Sequence, residues 1–132
     1  MTITTLEALR DAIRASTGAD LRLDRAFALL VLKWTPSGSA FCGWPPGPDT
    51  GATYYAPSYP EYLDPLAGPG ALFAAARGRW DGCTVSTRTS AVEAVCSVNL
   101  HDGIYKSGTH PLLPHALALA MTEAAIQERD NA

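Results

Sequence analysis

The stretch Val92-Glu93-Ala94-Val95-Cys96-Ser97-Val98-Asn99-Leu100-His101-Asp102-Gly103-Ile104-Tyr105-Lys106-Ser107-Gly108 decides the fold. Val92, Ala94, Cys96, Val98 and Leu100 alternate with Glu93, Ser97 and Asn99, the period of a strand with one buried face. Asp102-Gly103 is the two-residue turn that hairpins favour, so Ile104-Tyr105-Lys106 is the return strand, with Gly108 closing the sheet. Upstream, Cys83-Thr84-Val85-Ser86-Thr87-Arg88 alternates as well and supplies a further strand. Downstream, Pro114 to Glu128 sets Ala116, Leu117, Ala120, Met121, Ala124 and Ala125 on one face at helical spacing, extended by Leu119 and Ile126. So many alanines imply that this helix lies close to a sheet or another helix.

The N-terminal half is helical in part. Thr4 or Thr5 caps a helix running to about Ser16, with Leu6, Leu9, Ala12 and Ile13 on its apolar face, and Gly18 stops it. From Asp20 to Trp34 the pattern allows a helix throughout, or a helix to about Ala28 followed by a buried strand; the second is expected. Leu63 to Ala76 opens with Asp64 as N-cap and Pro65 in the first turn. Gly68-Pro69-Gly70 is expected to break this helix, which resumes as Ala71 to Arg77. Between these helical parts, residues 35–60 hold Pro36, Pro45, Pro46, Pro48, Pro57 and Pro60 among Gly38, Gly43, Gly47 and Gly51, so no regular element is expected there. The loop also carries Phe41, Trp44, Tyr54, Tyr55 and Tyr59, which a plain linker would lack, so it is either packed on the core or used as a contact surface.

The expected fold is therefore a single α+β domain over residues 1–132, a small antiparallel sheet of about three to four strands packed by N- and C-terminal helices in an α/β/α sandwich-like arrangement. Composition agrees: 132 residues, 47% hydrophobic and 17% charged, suit one packed core. A net charge of −3 argues against a duplex-DNA partner, which needs a basic face. The longest apolar run, Ala26 to Leu32, is too short for a membrane span. Met1-Thr2-Ile3-Thr4-Thr5 lacks the basic start and apolar run of a secretory signal, and Cys42, Cys83 and Cys96 are odd in number and widely spaced, so a reduced, cytoplasmic protein is expected.

Two separated stretches carry a family likeness. Tyr59-Pro60-Glu61-Tyr62-Leu63-Asp64 sets aromatics ahead of a Leu-Asp pair that opens a helix. Pro114-His115-Ala116-Leu117-Ala118-Leu119-Ala120-Met121 starts the last helix. In order and approximate distance these resemble the phage ABA-sandwich domain family of phage and prophage proteins, and the first helix resembles that family's N-terminal segment. Leu113 stands where the family tends to place a Thr or Ser cap, and the loop at 35–60 has no counterpart. The resemblance implies helices packed on a small antiparallel sheet and a phage or prophage origin in a bacterial host cell. It implies no activity and no catalytic residues.

Catalytic signatures do not stand out. The sequence has no phosphate-cradling glycine motif, no GxSxG and no HExxH, and no cofactor is expected. His110 and His115 are five apart, poor spacing for a metal on one helical face. His101-Asp102 reads as turn chemistry rather than an acid–base pair. Cys83 and Cys96 read as buried apolar groups, and Cys42 as the candidate reactive thiol. Binding chemistry is better represented. Arg77, Arg79 and Trp80 precede the sheet, and Arg88, Tyr105 and Lys106 lie on it. Trp44, Tyr54, Tyr55 and Tyr59 add aromatic faces from the loop. Such a set suits a small phosphorylated or nucleotide-type ligand, the arginines otherwise forming surface ion pairs with Asp81 and Glu93. The sequence thus predicts a non-enzymatic binding protein, possible sequestration of a host-defence signal being its use. The alternative is a protein-interaction or assembly module acting through the Pro/Tyr/Trp-rich loop. In either case a homo-oligomer is expected from an exposed sheet edge.

Overall fold

The computed structural model describes residues 2–37, 40–43, 54–56, 60–100 and 102–132, with backbone alone at 35–37, 40–43 and 54–56. Helix α1 spans Leu6–Ala15, and Thr5 caps it in an extended conformation by accepting from the Ala8 amide at 3.1 Å. Its apolar stripe buries Leu9 and Ile13 completely. Helix α2 spans Leu21–Leu30, and the Asp20 carboxylate caps it by accepting from Arg22 and Leu23 amides at 2.9 and 3.4 Å.

No buried strand follows Ala28. The helix continues to Leu30 and ends in a widened turn. Val31 and Leu32 amides both donate to the Phe27 carbonyl, at 2.9 and 3.2 Å, and Trp34 donates to Ala28 at 2.9 Å. Lys33 sits between them at φ 61°, the left-handed region that favours glycine. The apolar run 26–32 is apolar because a helix buries it among other helices, a case that periodicity alone does not separate from a strand.

The Pro/Gly-rich segment also departs from expectation, because it contains strands. β1 (Thr35–Ser37), β2 (Ala40–Gly43) and β3 (Tyr54–Ala56) form an antiparallel sheet in the order β1-β2-β3. Strands of three or four residues fit between the breakers. Pro36, opposite Phe41, lies on edge strand β1, where a missing N–H is tolerated.

Helix α3 spans Gly68–Arg79, so Gly68-Pro69-Gly70 begins a helix rather than interrupting one. Pro69 falls in the first turn, where no intrahelical donor is needed. Asp64 organises the entry: its Oδ2 accepts from Leu66 and Ala67 amides at 2.9 and 2.8 Å, and its carbonyl accepts from Gly68 at 2.8 Å. A Cβ at Gly68 would stand 2.2 Å from the Tyr62 carbonyl oxygen, so this start requires glycine.

The main sheet is β4 (Thr84–Thr89), β5 (Ala94–Asn99) and β6 (Tyr105–His110), antiparallel in that order. The β5–β6 turn is one residue longer than the expected Asp102-Gly103 pair: Asn99 pairs with Tyr105 and the Leu100 amide donates to the Ile104 carbonyl at 2.8 Å, so residues 101–103 make the connection, with Gly103 at φ 90° as three-residue hairpins favour. Gly108 lies inside β6 rather than at its end, and there the last helix makes its closest approach. That helix, α4 (Leu113–Asn131), packs on β5 and β6 with one side and on α1 and α3 with the other. It is buried from Pro114 to Thr122 without interruption, the mark of a helix that is covered all round. The expected α+β domain is what the structure shows: helices packed against a small antiparallel sheet. In the layering, α4 is the middle element, and the sheet's second face carries exposed Thr84, Ser86, Arg88, Asn99, Tyr105, Ser107 and Thr109. Among the described residues no helix is long and apolar enough to cross a membrane.

Candidate functional site

Strand parity divides the basic and aromatic residues of the sheet. Lys106 pairs with Val98, whose side chain is in the core, whereas Tyr105 pairs with Asn99 and Arg88 with Val95. Lys106 therefore belongs to the helix-side face, and Tyr105 and Arg88 to the open face. Tyr105 is 61% exposed, and its hydroxyl donates to Ser97 Oγ at 3.2 Å. Hydrogen bonds with Ser97 and then Ser107 hold its pKa below the usual phenol value. Trp44 and Tyr59 lie outside the described residues, as does His101; Tyr54 and Tyr55 lie on β3, pairing with Gly43 and Cys42.

Arg79 and Trp80 belong together, and their partner is Glu128 of α4 rather than Asp81. Arg79 Nη2 donates to Glu128 Oε1, Arg79 Nε donates to the Val31 carbonyl at 3.0 Å, and Trp80 Nε1 donates to Glu128 Oε2 at 3.2 Å. The guanidinium also lies 5.0 Å from the Trp80 ring centroid. This network ties the ends of α2, α3 and α4 together. Arg77, two residues earlier and so on the other side of α3, is exposed and does not join it.

Arg79 and Glu128 form part of the wall of a cleft of about 500 Å³. Thr4, Thr5 and Leu6 come from the start of α1, Leu30 and Lys33 from the end of α2, and Arg129 from the end of α4. Four helix ends converge here, and cations suit the three that are C-terminal. Arg129 grips Glu7 through both nitrogens, at 3.0 and 2.5 Å, and also reaches Asp130 at 3.0 Å. The Arg129 hydrogen bonds are the main reason that the Glu7 carboxyl is held down at about 2. Lys33 is exposed and, among the described residues, has no salt bridge. The sequence reading selects neither Lys33 nor Arg129. Each looks like an ordinary helix-end cation, and only tertiary packing puts them beside Arg79.

The buried histidines have structural partners. His110 and His115 stack with centroids 4.6 Å apart. His110 Nδ1 accepts from the Leu112 amide at 3.0 Å, so Nε2 carries the proton and donates to the Ser16 carbonyl at 2.9 Å. His115 Nε2 donates to the Gly18 carbonyl at 3.0 Å. The two rings fasten the α1–α2 connection to the start of α4. Burial, then the neighbouring His110, pushes His115 down from 6.5. Asp24 is buried too. It accepts from the Leu63 amide at 3.0 Å, but burial outweighs that bond and pushes its carboxyl up to about 6. The signs are opposite. His115 takes up a proton more readily unfolded, so its contribution is full above pH 6.5 and is lost as pH falls from there through its lower folded-state value. Asp24 holds its proton more readily folded, so it opposes folding increasingly as pH rises from 3.8 to about 6. Replacing Asp24 by Asn should therefore help the fold more at pH 8 than at pH 4, by about 2 kcal/mol, in urea unfolding at the two values.

Cys83 is half-buried and Cys96 buried, and burial raises both thiols, Cys96 to about 11. Neither is poised as a nucleophile. The side chain of Cys42 lies outside the described residues. Among the described residues no group of three or more His, Cys, Asp or Glu could hold a metal ion. No family model matches the chain, and no curated protein or solved structure matches it.

Proposed function

We propose that this chain is a non-enzymatic binding protein whose site is the cleft at the four helix ends, and that it takes a small phosphorylated or nucleotide-type molecule. The observation that carries this is Lys33. Its backbone is left-handed at φ 61°, which costs a non-glycine residue about 1 kcal/mol, and the residue lines the cleft without a salt bridge among the described residues. A strained cation that no carboxylate holds suits one phosphate charge, the guanidiniums of Arg79 and Arg129 in the same wall being held by Glu128 and Glu7, and the volume is that of a small-molecule site. The likeness to phage ABA-sandwich proteins supports a phage or prophage origin, and sequestration of a host-defence signal in the bacterial cytoplasm is the use we propose.

Lys33→Gly separates this reading from a purely structural one. It relieves the backbone, so stability should rise by about 0.5–1 kcal/mol. Binding of the tightest ligand from a panel of inorganic phosphate and linear and cyclic nucleotides should fall more than tenfold by titration calorimetry. A more stable variant that binds that panel as the wild type does would refute the site.

A further inference from the structure

We infer that β4 is a pairing edge for a second copy of this chain, so that two main sheets join into one six-stranded antiparallel sheet. The hydrogen-bond parity of the hairpins fixes which groups are available. Ser90 donates to the Glu93 carbonyl at 2.8 Å, and the register then runs Thr89↔Ala94, Arg88↔Val95, Thr87↔Cys96 and onward. In an antiparallel ladder the bonded pairs alternate, so Thr84, Ser86 and Arg88 bond to β5, and the amides and carbonyls of Val85, Thr87 and Thr89 point away from it. Among the described residues none of those outward groups has a hydrogen bond. Every residue of β4 except Val85 is exposed, and α4 packs chiefly on β5 and β6.

The other edge is defended and this one is not. β6 carries Lys106 on its helix-side face, an inward charge of the kind that blocks strand addition. β4 has no proline and no charge on its helix-side face, where Val85, Thr87 and Thr89 stand. It is also complementary to itself. A two-fold axis at Thr87 sets Thr87 against Thr87, Val85 against Thr89 and Ser86 against Arg88, so no like charges face one another. All three outward residues of each copy then form bonded pairs. Val92, 76% exposed at the end of the hairpin, comes beside the start of β4 in the other copy. This symmetry makes a second copy the occupant, whereas an unrelated extended peptide would leave that match unused.

Light scattering on the wild-type chain tests the inference. A mass near twice 14.0 kDa is expected, and the monomer mass at the highest soluble concentration would overturn it. Thr87→Lys, which sets two ammonium groups opposite each other at the axis, and Thr87→Pro, which removes only an outward amide, should both give monomers with unchanged circular dichroism. Should either variant misfold, Thr87→Cys provides a positive readout. With Cys96, its neighbour across the β4–β5 ladder, changed to Ala, it should form an interchain disulfide under mild oxidation, whereas Ser107→Cys on the β6 edge in the same background should not. Dimers that persist in Thr87→Lys and Thr87→Pro, or equal cross-linking from both edges, would exclude β4 as the interface.

Discussion

Gly108→Ala is expected to cost about 3 kcal/mol or more, read as a fall in Tm of roughly 10 °C. A Cβ at this position would stand 2.3 Å from the Ala116 carbonyl oxygen, 2.7 Å from the Ala120 amide nitrogen and 2.7 Å from Leu119 Cβ. Two of those atoms are backbone, so no rotamer change relieves the clash, and α4 must move off β6. That movement is not local. α4 is the middle layer, and Leu117, Ala118, Ala120 and Met121 around the contact are completely buried. Gly18→Ala makes a suitable control, because a Cβ there meets nothing within 4 Å. It should change Tm far less.

Arg79→Ala is expected to cost about 3 kcal/mol of stability, before any effect on a ligand. The Arg79 side chain is 15% exposed, and its loss leaves the Val31 carbonyl and half of the Glu128 carboxylate without their donor. Trp80 would keep its bond to Glu128 but lose the cation over its ring. Arg129→Ala, which breaks an ion pair between side chains 47% and 42% exposed, should shift the urea midpoint far less than Arg79→Ala does. The contrast matters for function. A binding defect in Arg79→Ala confounds folding with recognition, whereas one in a Lys33 or Arg129 variant does not.

How far the sequence reached depends on the range of the interaction. Alternation over Val92–Leu100 and the Asp102-Gly103 turn place β5 and β6, because a strand's period and a tight turn are written in adjacent residues. The alanines of α4 likewise announce a close approach, which Gly108 accepts. Residues 26–32 are ambiguous for a physical reason: seven consecutive apolar residues carry no period, and such a run fits the last turns of a helix as well as a buried strand. Gly68-Pro69-Gly70 reads locally as a break, and only the Tyr62 carbonyl beside Gly68 explains the glycine. The same limit governs the site. Arg79 and Trp80 are legible as a cation beside an aromatic, but Glu128 is 49 residues away and Lys33 follows the end of another helix. Tyr105 and Lys106 are the reverse case, since the period of two already assigns them to opposite faces.

Native mass spectrometry tests the central claim most directly, with the wild-type chain and Lys33→Gly each purified from a phage-infected, defence-carrying bacterial host. The cleft reading expects the wild type to carry a few hundred daltons of extra mass per chain, released on denaturation, and the variant to carry little or none. Bare masses for both proteins, or the same adduct on both, would contradict it.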